Sequence, residues 1–385
     1  MSYVSSGSAG LPCYDYRVGI RESLASAVDL PSGRLRITLS LQGPGRFACR
    51  EVGAPKTFRQ VMPEKTLRRG CAIQRTILAF GETLWDLFPT GAVLGGAPFN
   101  FACRANSLGD RGIIISRLGR DKLGIRALET ISELSMDPSF IQWDDKHPTG
   151  TVEVSLDDSH NPDYHIVPDV AYDFIEPYDE LFRLAPQVQC LCFGTLIQRS
   201  ETSRRTLARL LAAAPGSVKV LDINLRKDCY SDETVRLSLQ EADILKLNDD
   251  EMRLLQEMLG MSSSDAPAFS REIMSSWSLS HCMVTFGSRG AFVASNEREA
   301  VYSPGYMVDV VDSCGSGDAF TAGFVHKLLA GAPLAECTDF ANVMGALVAT
   351  REGATARICL SDISAFMEAG RERLFEEELR AYAAI

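Results

Sequence analysis

The sequence predicts an α/β protein: a mostly parallel central sheet with helices on both faces, and a small antiparallel β lid set apart from it. Three observations predict it. Short apolar runs alternate with helical segments from Thr76 onward. One stretch, Gly150–Val167, breaks that alternation with the period-2 pattern of half-exposed strands. And 45% of the 385 residues are apolar, enough to fill one large core.

Taken in order, Thr76–Phe80 is a buried strand ending at Gly81. Ala97–Leu108 has helical spacing and stops at Gly109. Gly112–Ser116 is a β-branched strand and Lys122–Leu134 an amphipathic helix. Gly150–Leu156 and Tyr164–Val167 flank a turn that contains Asn161 and Pro162. Further strands follow at Val188–Phe193, Val218–Ile223, Ile244–Leu247 and Cys282–Phe286, with helices between them.

Residues 1–75 read differently. They are rich in Ser, Gly, Pro and Arg and show no sustained period, although the apolar run Leu35–Leu41 can make an isolated strand. Residues 1–76 hold 12 Lys+Arg against 5 Asp+Glu, a net of +7, so the remainder carries −18. The expectation is a largely disordered extension, a targeting peptide or upstream sequence with Met62 as the alternative start. The domain then runs over residues 76–370, with a helical tail at 371–385.

The net charge of −11 argues against a general nucleic-acid binder. No run reaches the ~18 apolar residues of a membrane span. There is no apolar leader, and the 11 cysteines are odd in number and form no CxxC, which suits a reducing cytoplasm. Cys190 and Cys192 share one face of a strand and read as core residues rather than metal ligands.

Five constellations can carry chemistry. In Asp312-Ser-Cys-Gly-Ser-Gly-Asp318 a small-residue turn meets a helix. The backbone N–H groups of Gly315, Ser316 and Gly317 there suit an anion, and Asp318 beside them can take a proton from an attacking hydroxyl. Alone, that motif fits a structural first-turn acid equally well. Asn248 and Glu251 can hold Mg²⁺ through its waters, or simply form a capping box. Thr285, Gly287 and Gly290 make a tight turn that admits a nucleotide, or only a hairpin. Asp86, Gly95, Gly96 and Asn100 can bind sugar hydroxyls, or serve as turn and helix-start residues. In Asp222-Ile-Asn-Leu-Arg226, Arg226 can neutralise phosphate, or complete a strand-end ion pair. No P-loop, protein-kinase signature or dinucleotide fingerprint is present.

Together these residues resemble the PfkB, or ribokinase-like, carbohydrate kinases. Val311–Phe320 resembles that family's C-terminal signature, Gly95–Asn100 with Ser116–Gly124 its N-terminal one, and Asn248-x-x-Glu251 its Mg²⁺/phosphate motif. Ala341–Ala346, with Asn342, and Arg351–Ala354 resemble its adenine-side and monovalent-cation segments. The resemblance spans Ile77 to Asp362. It implies a Rossmann-like sandwich with lid strands from about 92–96, 139–142 and 150–167, and homodimers formed through the lid. It also implies ATP and Mg²⁺ as cofactors and Asp318 as general base. Asp312 becomes the ligand of a monovalent cation, potassium being the candidate, although Ser313, Cys314 and Ser316 depart from the usual signature there. Gly81–Pro89, Gly95–Asn100, the Asp222–Arg226 strand end and Ala171–Phe174 are most similar to fructokinases. 2-Keto-3-deoxygluconate kinase or ribokinase activity is the alternative, and an inactive sugar- or nucleotide-binding regulatory protein the alternative of another class.

Overall fold

The computed structural model describes residues 39–41, 47–49, 74–88, 91–156 and 162–383. The chain divides into two units, residues 1–72 and 73–385. In the first, β1 (Leu39–Leu41) pairs antiparallel with β2 (Phe47–Cys49). A strand thus ends the apolar run at Leu35–Leu41. The expected disorder of residues 1–75 otherwise lies outside the described residues. Gln74 and Arg75 belong to the second unit, where Arg75 Nε pairs with Asp110 Oδ1 at 2.7 Å.

The second unit opens with β3 (Thr76–Phe80), β4 (Leu84–Phe88), β5 (Gly91–Gly95), α1 (Ala97–Ser107), β6 (Arg111–Gly119), α2 (Lys122–Glu133) and β7 (Ile141–Asp144). It continues through β8 (Gly150–Leu156), β9 (Pro162–Ile166), α3 (Asp179–Leu184), β10 (Cys190–Phe193), α4 (Glu201–Ala213), β11 (Val218–Asp222) and α5 (Asp232–Glu241). Next come β12 (Ile244–Asn248), α6 (Asp249–Leu259), α7 (Ala266–Trp277), β13 (His281–Thr285), β14 (Ala291–Ser295), β15 (Ala300–Ser303) and β16 (Gly305–Tyr306). The last elements are α8 (Ser316–Leu329), α9 (Leu334–Ala349), α10 (Leu360–Glu368) and β17 (Arg373–Leu374).

Nine strands form the main sheet in the order β15-β14-β13-β12-β11-β10-β3-β6-β7. The seven from β13 to β7 are parallel, and β14 and β15 add an antiparallel edge. Alternate side chains feed two cores. Leu78, Phe80, Leu191 and Phe193 pack with Leu207 of α4, Val235 of α5, Leu255 of α6 and Phe269 of α7. Ile77, Ala79, Cys190 and Cys192 face the other way, against Phe99 of α1 and Phe324 of α8. Burial on both faces explains why these strands read as unbroken apolar runs. It also makes Cys190 and Cys192 core residues. Among the described residues, no group of three or more His, Cys, Asp or Glu is placed to hold a metal, and no helix is long and apolar enough to cross a membrane.

The helices start where short polar caps allow. Asp121 accepts from the Gly124 N–H to open α2, Ser231 caps α5 and Asp265 caps α7. Gly260, in the left-handed region, closes α6.

Four strands in the order β5-β4-β8-β9 form the small sheet. Its membership corrects the expectation in two places. Leu84–Phe88, absent from the expected lid segments, is a lid strand, with Asp86, whose alternative reading is a turn residue, opposite Val93. Residues 139–142, expected in the lid, fall in a 3-10 turn and in β7, which pairs with β6 at the edge of the main sheet. The reason is apolar: Ile141 and Trp143 pack on the α1/α8 core. The C-terminal tail differs as well. Instead of a helix over 371–385, β17 pairs with β16 and a 3-10 turn follows at Glu377–Tyr382.

β3 leads through the lid to α1 on one face of the sheet, whereas β10 leads to α4 on the other. β3 and β10 are neighbours, so a crevice opens beyond their carboxyl ends, the usual place for a ligand in an open α/β sheet.

Candidate active site

That crevice collects the strand ends. Glu82 follows β3, Asp222 ends β11, Asn248 ends β12 and Thr285 ends β13. Against them stands the N-terminus of α8. Gly315 takes φ +75°, a left-handed turn open to glycine, and packs so closely on Ala354 that a Cβ there would lie 2.5 Å from the Ala354 Cβ. The N–H groups of Gly315 and Gly317 have no acceptor among the described residues. The Ser316 N–H does: it donates to Ser313 O at 3.2 Å. Of the three N–H groups expected to suit an anion, those of Gly315 and Gly317 are thus open among the described residues, while the Ser316 N–H is engaged by the turn itself. The Ser316 hydroxyl is buried and without a partner.

Asp318 lies in the first turn of α8, 8% exposed. Its Oδ2 accepts from Asn100 Nδ2 at 2.8 Å. Burial, then the nearby Asp222 charge, push its pKa up to about 6, while Lys246, the Asn100 hydrogen bond and Arg226 hold it down. A carboxylate so placed is ionised near neutral pH yet basic enough to accept a proton.

Asn100, in the opening turn of α1, has a buried Oδ1 with no partner. A Cβ added to Gly95 would stand 3.1 Å from Asp86 Oδ2 and 3.9 Å from that Asn100 Oδ1. Gly95 thus keeps open a polar recess between lid and sheet. Gly96 (φ +112°) starts α1 against the Glu82 carbonyl, where a Cβ would come within 2.5 Å. Burial pushes Asp86 up to about 6 and Glu82 up to about 7, with Arg226 opposing both. The Arg226 side chain makes no hydrogen bond or ion pair among the described residues, and its charge favours the ionised form of three carboxyls, Glu82, Asp86 and Asp318.

On the far side of Gly317 lies a cleft of about 220 Å³. Thr285, Gly287, Gly290, Val310, Ser316, Phe320 and Asn342 are among its lining. The Gly287–Gly290 turn is the hairpin between β13 and β14 and also a wall of this cleft, so both readings of it hold. Asn342 Nδ2 donates to Ser303 O at 2.8 Å, which fixes the side chain at the rim.

Asn248 and Glu251 do form the capping box. Asn248 Oδ1 accepts from the Glu251 N–H at 2.8 Å and Glu251 Oε2 from the Asn248 N–H at 2.9 Å. Glu251 Oε1 accepts from the Leu225 N–H at 3.0 Å, tying the loop after β11 to α6. Each oxygen keeps a second lone pair, which suits a metal's bound water better than direct ligation. Asp312 accepts from the N–H groups of Cys314 (2.9 Å) and Gly353 (3.0 Å), which joins the α8 turn to the 353–356 loop and, as at Glu251, leaves each oxygen a second lone pair.

Three residues at this site were not singled out from the sequence. Glu82 is a buried carboxyl behind the polar recess. Arg104, 1% exposed, reaches from α1 to donate to the carbonyls of Ala354 (2.5 Å) and Ala356 (2.7 Å), steadying the loop under Gly315. Lys246, 4% exposed, pairs with Asp222 Oδ1 at 3.0 Å. The strand-end ion pair expected as the alternative for the Asp222–Arg226 segment thus exists, with Lys246 rather than Arg226 as the cation.

The model of the pfkB family carbohydrate kinases matches residues 77–360. An uncharacterized sugar kinase of Pyrococcus horikoshii, solved in complex with ATP, superposes with a TM-score of 0.64 at 27% identity, covering 74% of this chain and 96% of that one. A fructokinase of Escherichia coli is 29% identical over 313 residues, 74% of this chain and 97% of that protein. A 2-dehydro-3-deoxygalactonokinase of Haloferax volcanii is 26% identical over 314 residues, 76% and 97% respectively.

Proposed function

The chain belongs to the pfkB family of carbohydrate kinases, and from that premise we propose that it transfers the γ-phosphoryl group of ATP to a primary hydroxyl of fructose. The observation that carries the reading is the Asp318–Asn100 pair. It sits between a polar recess and a separate 220 Å³ cleft, with a buried, unpartnered acceptor on Asn100 facing the recess side. A sugar hydroxyl in the recess would donate to Asn100 Oδ1 while its neighbour meets Asp318. ATP in the cleft would bring its phosphates to the free N–H groups of Gly315 and Gly317. Asp86 and Arg226 supply further contacts to the sugar. Asp318 accepts the hydroxyl proton as the oxygen attacks phosphorus, and the two amides stabilise the developing charge.

Mg²⁺ supplies charge neutralisation of the phosphates when bound, and Asn248 and Glu251 are the residues that would hold it through water. Glu251→Gln puts an amide N–H₂ against a backbone donor. The expected result is a Mg²⁺ requirement raised about tenfold or more in metal titrations, with the sugar KM unchanged. A loss of about 1–3 kcal/mol in stability should accompany it.

A coupled ADP-release assay across fructose, 2-keto-3-deoxygluconate, ribose and adenosine tests the substrate. Fructose is expected to give the highest kcat/KM. The similarity to a 2-dehydro-3-deoxygalactonokinase favours a deoxy keto-acid sugar as the second reading, and Arg226 would then pair with its carboxylate. A higher kcat/KM for 2-keto-3-deoxygluconate would select it. No turnover with any of them, alongside sugar-dependent thermal stabilisation, would mark a binding protein instead.

A further inference from the structure

Beneath the first turn of α8 lies a buried ion pair with no part in the mechanism above. Asp222 divides its carboxylate among three donors: Lys246 Nζ at 3.0 Å and Asn224 Nδ2 at 2.9 Å on Oδ1, and the Thr321 hydroxyl at 3.0 Å on Oδ2. Thr321 shares that proton with Gly317 O, also at 3.0 Å. Lys246 in turn lies under Gly317, where an added Cβ would come 3.0 Å from its Nζ. One carboxylate and one ammonium, on neighbouring strands β11 and β12, thus touch α8 on either side of Asp318. We propose that Lys246 and Asp222 are positioning residues for Asp318, a charge pair that seats the start of α8 on the sheet and balances the field at the Asp318 carboxylate. The proposal rests on Asp318 being the base.

The surroundings support a balance rather than a simple brace. Burial works against the Lys246 charge, yet the Asp222, Glu251 and Asp318 carboxylates together hold its pKa above the ordinary lysine value. Burial raises Asp222 as well, against the pull of Lys246. With three donors on that carboxylate, the charged form is the one the geometry serves. The groups facing Asp318 are Asn100 and Arg104 from α1, Glu82 after β3, Cys192 on β10, Asp222 and Arg226 at and beyond the end of β11, Lys246 on β12 and Cys314 in its own turn. Of these, the Asp222 charge raises Asp318 most and the Lys246 charge lowers it most.

The test is the acid limb of the kcat/KM profile in single and double variants. Asp222→Asn removes the repulsion and should move the limb down by about one pH unit. Lys246→Met leaves two facing carboxylates without their cation, which then hold a proton to higher pH, and should move the limb up by a similar amount. The double variant, which leaves no unpaired buried charge and should fold best of the three, should fall between them. A limb position does not depend on the fraction of protein folded. Burial dominates at Glu82 and Asp86, and the charges they respond to are Asp318, Arg226 and Asp312, so a limb set by either would not follow the pair. Opposite displacements support the proposal. Any other pattern, whether both limbs shift the same way or either stays in place, overturns it. An inactive Asp318→Asn alongside unmoved limbs would refute the pair alone, whereas an active Asp318→Asn would refute the base.

Discussion

Asp318→Asn should lower kcat by about 10²–10⁴-fold and leave sugar and nucleotide binding close to wild type. The substitution removes the proton acceptor but keeps the volume and an oxygen able to accept from Asn100 Nδ2, now 2.8 Å away. The fold should not suffer. The Asp318 pKa is raised from its ordinary value to about 6 by burial and by Asp222. The folded state therefore favours the protonated carboxyl. The stability tied to this group is complete below the unfolded pKa and declines as pH rises through about 6. Asparagine, neutral at every pH, escapes that decline. Calorimetry from about pH 4 to 7 should show the variant's Tm gaining on the wild type as pH rises through about 6 and the gain then levelling off. Turnover within a few-fold of wild type would remove Asp318 from the role of base.

The same carboxylate shows how far the sequence could be read. Asp312–Asp318 announced a turn at a helix start because glycine and serine spacing is local information. The site around it was only partly local. Asn248-x-x-Glu251 was legible both as a capping box and as a metal-type pair, and the box is present. Lys246 was hidden because a lysine in a buried strand looks like any other break in an apolar run. Only the parallel pairing of β11 with β12, which aligns Asp222 with Lys246, brings the two charges together. Arg104 sat inside the apolar stripe of α1, with nothing in its neighbours to say that the carbonyls of Ala354 and Ala356 would receive it.

The lid, right at 92–96 and 150–167, was misread at two places for a related reason. Leu84–Phe88 carries too few alternations to declare itself a strand, and its partners, β5 and β8, include one that begins some 60 residues later. Residues 139–142 have strand-like composition, but whether Ile141 and Trp143 serve the lid or the main core is decided by packing rather than propensity. The main-sheet strands were readable because burial on both faces leaves them no polar alternative.

Gly315→Ala should be the most damaging small change in the α8 turn, with kcat down about 10²–10³-fold, the loss typical of one misplaced charge-stabilising donor. Two effects add. At φ +75° an alanine pays roughly 1–2 kcal/mol of backbone strain. Its Cβ would also lie 2.5 Å from the Ala354 Cβ and 2.9 Å from the Ala354 Cα, contacts that no rotamer can relieve. The 353–356 loop cannot easily retreat, since Asp312 holds the Gly353 N–H and Arg104 the carbonyls of Ala354 and Ala356. The turn must therefore move, and the N–H groups of Gly315 and Gly317 move with it. Gly287→Ala is the control. It too has positive φ, +58°, in the wall of the 220 Å³ cleft, but nothing lies within 4 Å of its added Cβ. Strain without collision should lower the Tm in both variants and collapse kcat in only one. Rapid-quench single-turnover measurements at saturating sugar and ATP separate the two, and a Gly315→Ala rate within threefold of the Gly287→Ala rate would show that the turn's amides do not stabilise the transferring group.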